Sequence, residues 1–263
     1  MPYFRTDRRN KLYYKLIKNP NVSETLIFLH GWAENHKIWR YQVEFFKKNY
    51  QILTLDLRGF GLSSKPTYGY ALELQSGYLY KLINALNLED YWLIGHSLGG
   101  MLTLQFCNKF FKEINGAILI GTTSYFPKKI TTLGHLGFFF ISKSLRQIWQ
   151  RTLKSIQPDH QRNIIQDLLR DIDSVPLYVS AACGFAVINF KVKLNSIICP
   201  ILIIIGEKDE LIPPELSLRM HQTLPNSQIS IIKNTGHMSF IEKPEKINQI
   251  LAQFLQQTKS QLK

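Results

Sequence analysis

The stretch LIGHSLGGM, residues 93–101, places one serine between two glycines directly after a short apolar run. A strand that turns sharply into a helix forces the residue at the bend into a strained backbone geometry. Glycines two positions before and after it, Gly95 and Gly99, remove side chains that would collide there. The pattern predicts a strand, a tight turn at Ser97 and a helix from Leu98. An ordinary capped turn uses the same residues, so a catalytic role needs partners elsewhere in the chain.

Short apolar runs of strand length recur along the chain, separated by stretches of helical length. Continuous rather than alternating apolarity indicates burial on both faces, as in a parallel sheet. The alternation of the two element types predicts an α/β fold with a mostly parallel, doubly wound sheet. The predicted strands are 11–17, 25–29, 51–55, 91–94, 117–120, 201–205 and 228–232, and the predicted helices are 37–48, 70–87, 98–111, 214–223 and 244–257.

The alternation stops after residue 124 and resumes at 197. The stretch between has phenylalanines and a tryptophan at helical spacings and few strand-like runs, which predicts an insertion of about four helices. We therefore expect a core formed by residues 1–124 and 197–263 and a helical cap formed by residues 125–196.

Three polar residues follow predicted strands, where reacting groups collect in an open parallel sheet. Asp209 follows ILIII and His237 follows QISII, each after a short loop, while Ser97 lies three residues after YWLI. Ser97 is the candidate nucleophile, His237 the base that takes its proton, and Asp209 the acid that orients the base. The backbone N–H groups of Trp32 and Leu98 are the candidate oxyanion donors. The chain order Ser, Asp, His is typical of one fold.

The sequence carries this triad and five short motifs that resemble those of cap-bearing α/β-hydrolases. The resemblance implies the α/β-hydrolase fold, the serine, aspartate and histidine roles given above, and no metal or organic cofactor. Epoxide hydrolases and haloalkane dehalogenases carry aspartate at the nucleophile position, so Ser97 disfavours those activities. The matching motifs are HGW (30–32), DLRGFGLS (56–63), GHSLGG (95–100), GEKD (206–209) and GH (236–237).

The resemblance predicts a serine carboxylic-ester hydrolase, a carboxylesterase that works through an acyl-enzyme on a small-molecule or acyl-chain ester. Trp32, Leu98, Phe138 and Phe139 are expected to contact the substrate, the phenylalanines as the lining of an acyl pocket. Three alternatives stay open: a carbon-carbon bond hydrolase of ring-cleavage products, a ligand receptor that retains the triad, and a lipid hydrolase bound to a membrane surface.

The chain is strongly basic, with 32 Lys and Arg against 19 Asp and Glu and a net charge of +13. Residues 1–18 hold six basic residues against one acidic residue, and the predicted cap holds ten against four. A basic cap is suited to bind an acidic acyl carrier protein, and the sequence is similar to the carrier-protein methyl ester esterases of biotin biosynthesis. The chain has no nucleic-acid-binding signature, so nucleic acid is not an expected partner.

Length and composition allow one large domain, since 45% of the 263 residues are hydrophobic. Three widely spaced cysteines predict neither a disulfide framework nor a metal site. No secretory signal or membrane-spanning run is found, so a cytoplasmic protein without integral membrane association is expected.

Several other polar residues receive structural interpretations. His30 is expected to shape the loop before Trp32, and His96 to point away from its neighbour Ser97. Asp56 and Arg58 are expected to form a salt bridge beside a glycine turn. Glu207 and Glu210 are rivals of Asp209 for the role of the acid.

Overall fold

One sheet runs through the computed structural model, which describes residues 2–125 and 162–262. Its strands are β1 (Tyr3–Arg5), β2 (Lys11–Ile17), β3 (Thr25–Leu29), β4 (Gln51–Leu55), β5 (Tyr91–His96), β6 (Gly116–Ile120), β7 (Ile201–Gly206) and β8 (Ser227–Ile232). They lie in the order β1-β2-β4-β3-β5-β6-β7-β8. β2 is antiparallel to both β1 and β4, and the pairs from β4 to β8 are parallel. The predicted α/β fold with a mostly parallel sheet is confirmed.

Every predicted strand is present. The parallel strands β3 to β7 are almost completely buried and are marked by continuous apolar runs, whereas β2 and β8 are only partly buried. β5 continues two residues past its predicted end, through Gly95 and His96. β1 was missed, since three residues are too few to show a period; its Tyr3 pairs with Tyr13 of β2.

Each predicted helical stretch of the core contains a helix, although the ends differ, and the short helix Ser239–Glu242 was not predicted. Residues His36–Trp39 form a 3-10 helix where an α-helix was expected, capped by the Asn35 side chain, which accepts the N–H of Lys37. The α-helices in the described residues are α1 (Arg40–Phe46), α2 (Leu72–Ala85), α3 (Leu98–Phe110), α4 (Arg162–Ser174), α5 (Leu177–Ile188), α6 (Pro214–Thr223), α7 (Ser239–Glu242) and α8 (Pro244–Leu262).

Helices α4 and α5 lie between β6 and β7 in the chain, within the range predicted as a cap. They contact the core, where Tyr178 donates to the carbonyl of Lys65 at 2.6 Å and Asn35 donates to Asp171. The cap boundaries at 125 and 196 stay predictions. Within residues 2–125 and 162–262, no helix has the length and apolarity needed to cross a membrane.

The core has two halves, one on each face of the sheet. Leu26 and Phe28 of β3 pack into one half, and Ile27 and Leu29 pack into the other. All of β3 is buried, as the unbroken apolar run predicts.

The carboxyl ends of the parallel strands are aligned. Leu29 of β3 lies opposite Gly95 of β5, and Gly95 lies opposite Leu119 of β6. Gly206, the last residue of β7, lies opposite Ile232 of β8. This register brings the loops that follow these strands together at one edge, where the candidate site residues are found.

Candidate active site

Ser97 sits at the sharp turn between β5 and α3. Its backbone has φ 49° and ψ −114°, a conformation that residues with a side chain rarely adopt. A Cβ at Gly95 would lie 2.5 Å from Oγ1 of Thr103, and one at Gly99 would lie 2.6 Å from the carbonyl oxygen of His30. Both positions therefore require glycine, as the sequence pattern predicts.

Hydrogen bonds to β6 and its following loop hold the strained turn. The N–H of Ser97 donates to the carbonyl of Ile120 at 3.0 Å, and Oγ1 of Thr122 donates to the carbonyl of Ser97 at 2.7 Å. The Ser97 residue is half-buried, in contrast to its fully buried neighbours His96 and Leu98. The turn therefore leaves this serine partly accessible.

Asp209 and His237 form a buried pair. Nδ1 of His237 lies 2.8 Å from Oδ2 of Asp209, and both residues are 3% exposed. The other carboxylate oxygen of Asp209 accepts the N–H groups of Leu211 and Ile212, each at 2.9 Å. Glu210, a rival for the acid role, is exposed, and so is Glu207, whose carboxylate accepts the N–H of Asn234.

The pair changes the proton affinity of the histidine. Burial lowers the pKa of His237, but the charge of Asp209 and its hydrogen bond outweigh burial, so the pKa is raised above its ordinary value. His237 is therefore a stronger base than an ordinary histidine side chain.

Ser97 and this pair share one edge of the sheet. A Cβ at Gly121, the residue after β6, would lie 3.2 Å from Nδ1 of His237 and 3.3 Å from Oδ2 of Asp209. The rings of His96 and His237 have centroids 4.7 Å apart. Because Ser97 follows His96 and binds the residue before Gly121, the three candidate catalytic residues are brought to neighbouring positions.

The two candidate oxyanion donors flank this edge. Leu98 is the first residue of α3, and the first N–H groups of a helix have no partner within it. Trp32 is half-buried in a turn after β3, where Ala33 has φ 60°. His30 shapes this loop as predicted: the N–H of Leu57 donates to its Nε2 at 2.9 Å, so Nδ1 is left to donate to the carbonyl of Gly31 at 2.8 Å. Phe138 and Phe139 lie outside the described residues.

The predicted Asp56–Arg58 salt bridge was wrong. Asp56 is instead held by His36, whose backbone N–H and Nδ1 both lie 2.7 Å from Oδ1, and by the N–H of Leu62. Arg58 faces Asp7 at 3.9 Å. The glycine turn that follows Arg58 brings the N–H of Leu62 back to Asp56, while Arg58 is directed toward Asp7, which residue spacing alone did not reveal.

Sequence reasoning also missed a second buried acid, Glu34. It lies 2.9 Å from Nδ1 of His96 and accepts the N–H of Gly31 at 2.6 Å. Its place in the HGWAE segment, one short turn after Gly31, puts it near the candidate oxyanion loop but does not indicate that it is buried. In residues 2–125 and 162–262, no group of three or more His, Cys, Asp or Glu side chains is arranged to hold a metal ion.

Comparison with known proteins agrees with this geometry. Residues 24–175 and 143–244 match the family model for the alpha/beta hydrolase fold. The chain therefore belongs to the alpha/beta hydrolase family and is a hydrolase.

Individual relatives are similar along almost their whole length. The chain is 26% identical to the AB hydrolase superfamily protein YisY of Bacillus subtilis, covering 96% of this chain and 98% of that protein. It is also 26% identical to 3-oxoadipate enol-lactonase 1 of Acinetobacter baylyi, covering 95% of each. The solved structure of a thermophilic esterase from Thermogutta terrifontis superposes with a TM-score of 0.81 at 22% identity, covering 98% of this chain and 97% of that one.

Proposed function

We propose that this protein is a serine carboxylic-ester hydrolase that works through an acyl-enzyme. The observation that carries the proposal is the buried Asp209–His237 pair, 2.8 Å apart, at the edge of the sheet where Ser97 occupies a strained turn. A strained backbone persists only where the surrounding fold holds it in place. Strained residues and buried ionisable pairs are both concentrated at functional sites.

In the proposed reaction, Oγ of Ser97 attacks the ester carbonyl carbon while Nε2 of His237 takes the hydroxyl proton. Asp209 holds the histidine with Nδ1 protonated and stabilises the imidazolium that forms. When the tetrahedral intermediate collapses, the bond to the alcohol breaks, and His237 gives its proton to the leaving oxygen. Water, deprotonated by His237, then attacks the acyl carbon. The bond from that carbon to Oγ of Ser97 breaks, and His237 returns the proton to Oγ, which releases the acid and free Ser97.

The oxyanion is proposed to bind two backbone N–H groups, those of Trp32 and Leu98. The N–H of Leu98 also lies at the positive end of the α3 dipole, which favours negative charge. Trp32, with Leu98, is proposed to contact the substrate beside the reacting carbonyl.

The test is covalent labelling and single substitution. A fluorophosphonate should label Ser97 in the intact protein, and an activated nitrophenyl ester should give a burst of one product molecule per site. Replacing Ser97 by Ala should lower kcat by a factor on the order of 10⁴ or more. Ser196→Ala is the matched control, because Ser196 is also half-buried but bonds Asn108 near the far end of α3. Unchanged turnover in the Ser97 variant would refute the proposal.

The substrate is proposed to be an acyl chain linked to an acidic carrier protein, such as a carrier-bound methyl ester. The excess of ten basic over four acidic residues in 125–196 supports this. In the described part of that range Lys191 and Lys193 are exposed, and Arg170 lies 3.7 Å from Asp167. Activity on a carrier-bound ester should fall steeply with ionic strength, while activity on a small free ester hardly changes. Equal salt responses of the two substrates would overturn the carrier-bound version alone.

Lactones belong in the same substrate panel, because a lactone is a cyclic ester and one relative is named an enol-lactonase.

A ring-cleavage product tests the alternative of carbon-carbon bond hydrolysis by the same residues. Tight ligand binding with turnover below about one per minute would favour a receptor, since ordinary enzymes turn over at about 1 to 10³ per second.

A further inference from the structure

Glu34 is a buried carboxylate that the proposed reaction does not use. It is 1% exposed, and glutamate is almost never fully buried unless it is paired. One oxygen, Oε2, accepts the N–H of Gly31 at 2.6 Å, and the other, Oε1, lies 2.9 Å from Nδ1 of His96. The side chain is therefore hydrogen-bonded to one loop of the candidate site and lies within ion-pair distance of a second.

The first of these loops carries the candidate oxyanion donor Trp32. Glu34 makes two hydrogen bonds to Gly31 across this loop. Its backbone N–H donates to the carbonyl of Gly31 at 3.4 Å, and its carboxylate accepts the N–H of Gly31. Ala33, inside the turn, has φ 60°, which is unfavourable for a residue with a Cβ. The position of the Trp32 N–H thus depends on bonds that Glu34 makes.

The second loop carries the nucleophile. His96 precedes Ser97, is fully buried, and has its Nε2 3.2 Å from the carbonyl oxygen of His237. Its ring also packs on the ring of His237. Through this one imidazole, Glu34 is linked to both the nucleophile turn and the base.

The charge of Glu34 also reaches the base. Burial raises the pKa of Glu34, but His96, together with His30 and the N–H of Gly31, outweighs burial, so the pKa is lowered and the carboxylate stays ionised. Three carboxylates raise the pKa of His237: Asp209 by direct contact, Glu34 from the side of His96, and Glu242, which accepts the N–H of Gly236 at 3.0 Å. Removing the charge at Glu34 should make His237 a weaker base.

We infer that Glu34 is a positioning residue that fixes the Trp32 N–H for the oxyanion and, from beside His96, holds a negative charge near the base His237. This inference rests on the proposed ester-hydrolase function. Two substitutions separate the two effects, because Gln keeps the size of the side chain without its charge, and Asp keeps the charge on a shorter side chain.

In Glu34→Gln, kcat for an activated ester should fall roughly 100-fold, as small displacements of catalytic groups do, with KM nearly unchanged. The pH below which kcat/KM falls, the acidic limb of the pH profile, should be lower than in the wild type. A purely structural role would not produce this shift. In Glu34→Asp, kcat should fall while the limb stays near its wild-type position. Glu24→Gln is the matched control: Glu24 is 6% exposed and bonds Trp92 and Lys259, but it precedes β3 at the opposite edge.

Thermal unfolding of each variant establishes that it is folded. If Glu34→Gln does not fold, the Asp variant decides, because wild-type kcat in that folded variant overturns the inference. If Ser97→Ala is inactive but Glu34→Gln keeps the wild-type kcat and the wild-type pH profile of kcat/KM, the inference is overturned and the ester-hydrolase proposal stands. An active Ser97→Ala instead overturns the ester-hydrolase proposal itself.

Discussion

Replacing Asp209 by Asn tests the proposed role of Asp209, because it exchanges only one side-chain oxygen for an amide nitrogen next to the base His237. Oδ1 of Asp209 accepts two backbone N–H groups, from Leu211 and Ile212, each at 2.9 Å. An asparagine must keep its carbonyl oxygen at that place, because its amide group would otherwise face two donors. The amide nitrogen is then forced into the position of Oδ2, 2.8 Å from Nδ1 of His237.

This arrangement sets the tautomer of the histidine. Facing an N–H donor, Nδ1 of His237 must become the acceptor, so the ring proton moves to Nε2, the nitrogen proposed to take the proton of Ser97. The base is blocked although its position is kept. A wrong tautomer with intact geometry lowers kcat by about 10⁴ in a serine, histidine and aspartate triad, and we expect that magnitude here with little change in KM.

The assay is steady-state hydrolysis of an activated nitrophenyl ester by the Asp209→Asn variant. Glu210→Gln is the matched control, since it removes an exposed carboxylate one residue away. The control should keep wild-type kcat, and thermal unfolding should show that both variants are folded. A loss of less than tenfold in the Asp209 variant would refute the assigned role of this acid.

The remaining predictions concern pH and packing. His237 must be neutral to accept a proton, and its pKa is raised. Therefore kcat/KM should fall as pH drops through a value above about 6.5, the ordinary pKa of histidine. A fall centred below that pH would contradict the assignment of the base. Gly99→Ala should lower the free energy of unfolding by about 3 kcal/mol, because the new Cβ meets the carbonyls of Leu29 and His30; urea unfolding measures this, and a neutral effect would contradict it. Gly77→Ala, at a half-buried position of α2 where nothing lies within 4 Å of the new Cβ, should raise that free energy by about 0.8 kcal/mol in the same assay, and destabilisation there would contradict this prediction.

The sheet and the positions of Ser97, Asp209 and His237 were predictable from sequence for one physical reason. A parallel strand buried on both faces leaves a continuous apolar run, and hydrogen-bond register then aligns the strand ends. Residues directly after those runs must therefore meet at one edge, however far apart they lie in the chain. Asp209 and His237, 28 positions apart, illustrate this.

Other features were not predictable, because they depend on side-chain packing. Glu34 reads in sequence as an ordinary solvent-facing acid, and only the fold places His96 within 2.9 Å of it. The predicted salt bridge of Asp56 failed for the same reason, since a backbone turn decides which partner a side chain faces. Helix α5 is apolar over most of its length, so its sequence does not mark one buried face.

The distribution of unfavourable features supports placing the function at the carboxyl edge. In the described residues, four non-glycine residues have positive φ, and two of them are asparagines, which tolerate it. The other two, Ala33 and Ser97, both lie at this edge. The buried acids Glu34 and Asp209 lie there as well, each next to a histidine. Local preferences are otherwise followed along the sheet, and a fold keeps such departures together where the site requires them.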